Sequence, residues 1–330
     1  MMRWVALLFG FAGALVAGAS ALAQTAAQPW PAKPVRIVNT FAAGGTADVL
    51  ARMVADQLAA TFKQQFFVET RAGATGLIGL RSVMGTEPDG YNLVLTTQSL
   101  LVTIPIMNPT VGYDPVRDLT NIAYVGGSPI VFLVSPSSGI KSFADFMARA
   151  RSSDRPLTYS SSGLGGNGHL MTEFFGQRTG VKVEHIPYKG ASQGLVDLIG
   201  GHIAFSAQTV ASAASYIRSG TLVPLANTAD ARLSDYPDLP TLKELGYPEL
   251  VATTWFSISA PARLAPDIAE KINRSIVAGL AAPETQQRLR RDGLISQPMS
   301  MSEFDKFIGF ENARWKPVIE RAGLVGVKLD

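Results

Sequence analysis

The sequence predicts a two-lobed α/β protein with parallel-rich sheets covered by helices. Three observations carry that class. Short β-rich runs alternate with helical ones along most of the chain, which is the pattern of parallel strands joined by crossover helices. The 330 residues exceed what one hydrophobic core usually supports. Two apolar runs, 122–134 and 251–260, are placed to cross between lobes, and together they would make a hinge.

The chain opens on a leader. Met1-Met2-Arg3 is a short positive start, 4–19 is free of charge and apolar, and Ala21-Leu22-Ala23 is an A-x-A cleavage signal before Gln24. The apolar run is shorter than the roughly 20 residues a membrane span needs. Residues 1–23 therefore read as a cleavable signal peptide, and the 307 residues that remain, at net charge +2 after loss of Arg3, are expected in the periplasm.

The elements then follow in order. Residues 35–38 read as a strand, 47–62 as a helix with Leu50, Val54 and Leu58 on one face, and 66–68 as the next strand. Leu77, Leu80 and Met84 fit a second helix, the turn Pro88-Asp89-Gly90 stops it, and 93–95 follows as a strand. The same beat continues with strands at 157–160, 183–186, 203–207 and 223–226, and helices at 169–179, 194–198 and 211–219. After a strand at 256–260 come three helical segments, 266–281, 283–292 and 302–322, with Pro266 and Pro283 where a first-turn proline belongs. The resulting lobes are 29–126 with 254–330, and 127–253.

Composition excludes several functions. The 29 basic and 26 acidic side chains leave the chain near neutral, and Lys and Arg are scattered, so no basic stripe exists for a nucleic acid. No cysteine is present, which removes disulfides, thiolate metal sites, cysteine nucleophiles and a lipid-modified Cys. His169, His185 and His202 lack any i,i+4 or HExxH spacing, so no metal site is expected. No G-x-S-x-G elbow occurs, and the nearness of Ser161 to His169 reads as helix capping, not as a nucleophile with its base.

Two glycine-rich loops carry the chemistry. The first, Phe41-Ala42-Ala43-Gly44-Gly45-Thr46-Ala47-Asp48, joins a strand to a helix; it is either a plain tight turn or an anion site made by bare backbone N–H groups. The second, Ser160-Ser161-Ser162-Gly163-Leu164-Gly165-Gly166-Asn167-Gly168-His169, again precedes a helix. Gly163, Gly165 and Gly168 satisfy G-x-G-x-x-G, with Glu184 21 residues after Gly163. Three serines intervene between strand and fingerprint, however, and an exported protein would rarely meet a nicotinamide cofactor. A smaller anion suits the same helix N-terminus, and no cofactor is expected.

The motifs then resemble a known family. Residues 29–38 running into the first glycine loop look like the start of the Bug proteins, the TctC-like periplasmic solute-binding receptors of tripartite tricarboxylate transporters. Arg71-Ala72-Gly73-Ala74-Thr75-Gly76, Pro88-Asp89-Gly90-Tyr91, His185-Ile186-Pro187-Tyr188-Lys189-Gly190 and Leu239-Pro240-Thr241 look like later signatures in the family's order. The resemblance implies a monomeric, non-enzymatic Venus-flytrap protein. It would capture a small organic carboxylate between its lobes and deliver it to a two-component membrane permease, the alternatives being an exported receptor that feeds a sensor kinase and an exported α/β hydrolase or dehydrogenase.

By motif position the contacts implied in the first lobe are Phe41, Ala42, Gly44, Gly45 and Thr46, with Gln98 and Ser99. Those in the second are Ser161, Ser162, Gly163, Asn167 and His169, with Tyr188 and Gln208. Three places depart from the family pattern. Ala43 stands for a usual proline, Ala74-Thr75 interrupts a glycine-rich stretch, and Ala204 and Gln208 stand where aspartates are common. Gln208 either favours a ligand without a required cation, a dicarboxylate or an aromatic carboxylate, or merely satisfies local backbone groups.

Overall fold

Val35, Ile37 and Val38 are wholly buried because strand β1 (Val35–Asn39) is central among its neighbours. The computed structural model describes residues 30–321 and 323–327, so the leader expected over 1–23 lies outside the described residues. β1 is followed by helix α1 (Thr46–Phe62), β2 (Phe66–Thr70), α2 (Leu77–Met84) and β3 (Asn92–Thr97). Both β2 and β3 pair with β1 in parallel. A π-helical turn at Ser99–Thr103 and the short α3 (Ile104–Met107) then lead into β4 (Leu119–Val134).

The middle of the chain repeats the scheme: α4 (Phe143–Ser152), β5 (Leu157–Ser161), α5 (Asn167–Thr179), β6 (Val183–Pro187), α6 (Ala191–Ile199), β7 (Phe205–Thr209), α7 (Val210–Arg218) and β8 (Val223–Asn227). β5 pairs with β6 and β7 in parallel. β9 (Thr253–Pro261), α8 (Pro266–Ala281), α9 (Pro283–Arg291) and α10 (Met301–Arg321) complete it. The strand order is β2-β1-β3-β9-β4-β7-β5-β6, with β8 on β4.

Parallel pairing thus governs the two ends of this order, and antiparallel pairing governs its middle. β4 runs antiparallel to β9 up to Pro129 and antiparallel to β7 from Ile130 onward. The strand passes from one set of partners to the other within one residue. Two register shifts, at Asn121/Ala123 and Tyr124/Gly126, bend it on the way. β4 therefore links a half built on β1, β2, β3 and β9 to one built on β5, β6, β7 and β8; positions 126/127 and 253/254 lie within β4 and at the start of β9.

A second tie crosses the same place. Gly127 exchanges both backbone hydrogen bonds with Ile295 at 2.7 Å, and buried Ser128 donates its hydroxyl to Gly293 O at 2.8 Å while accepting the Ala211 N–H at 3.1 Å. The segment between α9 and α10 is therefore anchored to both halves.

Apolar packing runs across the halves: one buried cluster takes in Val38, Leu80 and Val94 as well as Phe132, Phe146 and Phe175. Leu50, Val54 and Leu58 of α1 meet Ile37, Ile258 and Ile272, as the helical spacing requires. In the other half Phe132, Phe146, Phe175 and Phe205 pack around one another, Phe132 edge-on to Phe175 with centroids 5.1 Å apart. Each such ring contributes about 2–3 kcal/mol by burial. Helix α10 is held by a buried carboxylate, Glu311, which accepts the indole N–H of Trp255 at 3.0 Å and of Trp315 at 3.2 Å.

Candidate functional site

The first glycine loop is pinned at its root. Asn39 Oδ1 accepts the Phe41 N–H at 3.1 Å, and the Thr40 hydroxyl donates to Leu95 O at 3.0 Å. Gly44 takes a positive φ of 82°, a region that costs other residues about 1 kcal/mol or more, and its N–H donates to Asp48 Oδ2 at 3.2 Å. Asp48 therefore serves the loop as well as the helix dipole. Gly45 precedes α1, whose N-terminus no side chain caps. Gly45 is buried, yet a Cβ added there would meet only Ala42 O at 3.8 Å and Ser212 Oγ at 4.0 Å, both ordinary contact distances. Among the described residues the N–H groups of Ala42, Ala43 and Gly45 have no acceptor.

The second loop is packed far more tightly. A Cβ at Gly168 would fall 2.3 Å from Ala207 O, and one at Gly163, φ +142°, would fall 2.9 Å from Thr75 Oγ1. Ser161 corrects the expectation of capping: α5 is preceded by Gly166 with no side-chain cap, and Ser161 Oγ instead lies 2.7 Å from His185 Nε2. His169 Nδ1 accepts the Gly165 N–H at 3.1 Å, and its ring stacks 4.2 Å from that of His185. Burial disfavours the charged form of both rings, pushing His169 down to about 4 and His185 down to about 3, the latter helped by the neighbouring His169. Both are neutral at ordinary pH and act as internal struts.

Between the loops lies a cleft of about 520 Å³ when the open space at its mouth is included. Phe41, Ala42, Gly45 and Thr46 line it from one half, with Ser99. Ser162, Asn167 and Gln208 line it from the other. Six expected residues stand outside the lining. Gly44, Ser161, Gly163 and His169 make the loop contacts above, Tyr188 donates its hydroxyl to Asp197 at 2.6 Å, and Gln98 is fully buried where β3 meets the π-helical turn.

The structure adds lining residues that sequence reasoning missed. Gly190 and Ala191 bring the N-terminus of α6 to the cleft, and Thr209 and Ser212 bring that of α7. Gly190 comes so near the first loop that a Cβ would lie 2.9 Å from Ala42 Cβ. The starts of α1, α5, α6 and α7 thus converge on one space. A local signal existed for α7, since Thr209 with Ser212 three residues on is an N-cap pattern, and the Thr209 hydroxyl accepts the Ser212 N–H at 3.3 Å. Ile130, Thr254 and Phe256, from the strands that join the halves, form the floor.

No lining side chain is charged. Positive potential comes from the four helix N-termini, each equivalent to roughly half a charge. Several buried polar atoms are without protein partners: both amide atoms of Asn167, Nε2 of Gln208, Oγ1 of Thr254, and behind them both amide atoms of Gln98. Local satisfaction does not account for the Gln208 amide nitrogen. Each such group left unpaired costs about 1–3 kcal/mol, so the cleft is poised for a polar ligand. Among the described residues no three His, Asp or Glu side chains are grouped as a metal would require, and no helix is long and apolar enough to cross a membrane.

The family model described as the tripartite tricarboxylate transporter family receptor, TctC, matches residues 50–324. The chain belongs to this family of solute-binding receptors. Protein BugT of Bordetella pertussis is 33% identical to this TctC receptor over 318 residues, covering 96% of this chain and 97% of BugT. An R. palustris protein, Rpa4515, solved with adipate, superposes with a TM-score of 0.86 at 32% identity, over 89% of this chain and 98% of that one. The periplasmic binding protein BugD superposes with a TM-score of 0.85 at 26% identity, over 90% and 99%. The two superpositions show that Rpa4515 and BugD share the fold of this TctC receptor.

Proposed function

We propose that this receptor captures a small organic carboxylate, a dicarboxylate or an aromatic carboxylate, in the cleft between two lobes, 29–126 with 254–330 and 127–253. One observation carries the reading: four helix N-termini meet in a cleft with no charged lining side chain. A carboxylate is the ligand such a site favours, because fixed N–H dipoles stabilise it without a counter-ion that must itself be desolvated. The adipate held by Rpa4515 supports the class. Asn167, Gln208 and Thr254 supply neutral hydrogen-bonding groups for the rest of the ligand, and Phe41, Ile130 and Phe256 supply apolar contact.

The mechanism is differential binding. Each half holds part of the contacts, so a ligand stabilises the arrangement in which the halves meet and shifts its population by that difference in affinity. The chain would work in the periplasm after losing residues 1–23, as a monomer, and would hand its ligand to a two-component membrane permease. Catalysis has no place in this scheme. A thermal-shift screen of the purified protein over di- and tricarboxylates, aromatic acids, nicotinate and amino acids tests it, because a ligand raises the melting temperature by mass action. A carboxylate hit without turnover is expected; hits confined to amino acids, or turnover of a carboxylate ester, would overturn the reading.

A further inference from the structure

Where the two halves meet in the lining of the cleft, three hydroxyls close a ring. Thr46 Oγ1 lies 2.6 Å from Thr209 Oγ1 and 2.8 Å from Ser212 Oγ, and Thr209 Oγ1 lies 2.7 Å from Ser212 Oγ. Thr46 opens α1 in one half, while Thr209 and Ser212 open α7 in the other. Two backbone groups feed the ring as well: the Thr46 N–H donates to Ser212 Oγ at 3.3 Å, and the Ser212 N–H to Thr209 Oγ1 at 3.3 Å.

Proton counting limits what this ring can do. Each hydroxyl has one proton to give and two lone pairs to receive. Three oxygens in mutual contact use all three protons when each donates to the next. Ser212 Oγ and Thr209 Oγ1 then have both lone pairs filled, one by a hydroxyl and one by a backbone N–H. A single lone pair on Thr46 Oγ1 is the capacity left over, and a lone pair repels a carboxylate oxygen.

We infer that Thr46, Thr209 and Ser212 form a clasp between the halves, not a set of ligand donors, and that Thr209 and Ser212 are positioning residues that set the start of α1 against that of α7. Among the described residues four other hydroxyl bonds bridge the halves, Thr75 to Leu164 O at 2.6 Å, Thr103 to Gly165 O at 2.9 Å, Ser128 to Gly293 O at 2.8 Å and Ser192 to Ala43 O at 3.3 Å. Those end on loop carbonyls. In the clasp, side chains from both halves depend on each other, so losing one hydroxyl breaks two of its three contacts. The clasp stands on these bonds alone; its effect on ligand release rests on the carboxylate reading above.

A distance measurement on ligand-free protein tests it. The chain has no cysteine, so Val49→Cys on α1 and Val196→Cys on α6, 37% and 60% exposed, take spin labels one in each half. The wild-type ring should give one narrow distance distribution, and Ser212→Ala should add a population at longer distance. Thr209→Ser, which keeps hydroxyl and cap, should retain the narrow one. Superimposable distributions for wild type and Ser212→Ala, with circular dichroism reporting a folded variant, would overturn the clasp. Thr46→Val gives the same test from the other half should Ser212→Ala fold poorly. In stopped-flow with adipate and benzoate as probes, Ser212→Ala should speed release by about tenfold for whichever probe binds. A change in the preference between the two probes would make Ser212 a ligand contact and sink the proposal. Failure of both probes to bind the wild type would count against the carboxylate reading, while the label distances still decide the clasp.

Discussion

The two glycine-rich loops look alike in the sequence and do different work in the fold. In the first, no atom crowds the place where a Cβ of Gly45 would stand, and five of the eight residues, Phe41, Ala42, Gly45, Thr46 and Ala47, line the cleft. In the second, Gly163 and Gly168 are glycines because Thr75 and Ala207 occupy the space a side chain would need. Only Ser162 and Asn167 of that loop reach the lining. The same residue type thus exposes the backbone to a ligand in one place and lets two backbones touch in the other.

Substitutions should separate the two roles. Gly45→Asp places a carboxylate in the anion site at a position with ordinary φ and no close contact to the added Cβ. It should weaken carboxylate binding by at least about 100-fold in calorimetry, with an unchanged circular dichroism spectrum; unchanged affinity would end the two-loop account. Gly168→Ala should do the reverse. Its methyl would press on Ala207 O, and overpacking of that kind costs up to about 3 kcal/mol, lowering the melting temperature by roughly 5–10 °C. A variant as stable as wild type would mean that the second loop is not packed in this way.

The struts behind the second loop give a pH signature. His169 and His185 titrate near 4 and 3 in the native state, against about 6.5 when unfolded. Between those values the unfolded chain binds more protons than the native one, so stability falls as pH falls through that window. Burial raises the carboxyl of Glu173, which accepts the Tyr159 hydroxyl beside His185, and this works against the trend over its own range. His185→Gln should therefore give a shallower loss of melting temperature from pH 6.5 to 4 than wild type. Parallel slopes would contradict the assignment. Gly44→Ala is the mildest change: its φ is positive but no atom lies within 4 Å of the new methyl. It should cost about 1 kcal/mol and leave binding intact, because the Gly44 N–H belongs to Asp48.

Local chemistry made part of this legible from the sequence. Helical spacing at Leu50, Val54 and Leu58, first-turn prolines at 266 and 283, and glycines before helices located most elements to within two residues. Helix α4 escaped, although Ser142 caps it by accepting the Asp145 N–H at 3.1 Å, a serine-to-acid spacing that is visible in the sequence. The starts of α6 and α7 in the cleft were not legible, because only the pairing of β7 with β4 across the long strand brings them beside the first loop. His185 meets Ser161 for a similar reason. In the parallel register of β5 and β6, His185 sits opposite Tyr159, and its ring reaches two residues along to the serine.

The central claim is that fixed backbone dipoles, with no counter-ion, select a carboxylate. Calorimetric titration of the tightest-binding carboxylate from the thermal-shift screen, alongside its primary amide of the same shape, tests this most directly. The account predicts that the carboxylate binds at least about 100-fold more tightly. Equal affinities, or binding of the amide alone, would contradict it.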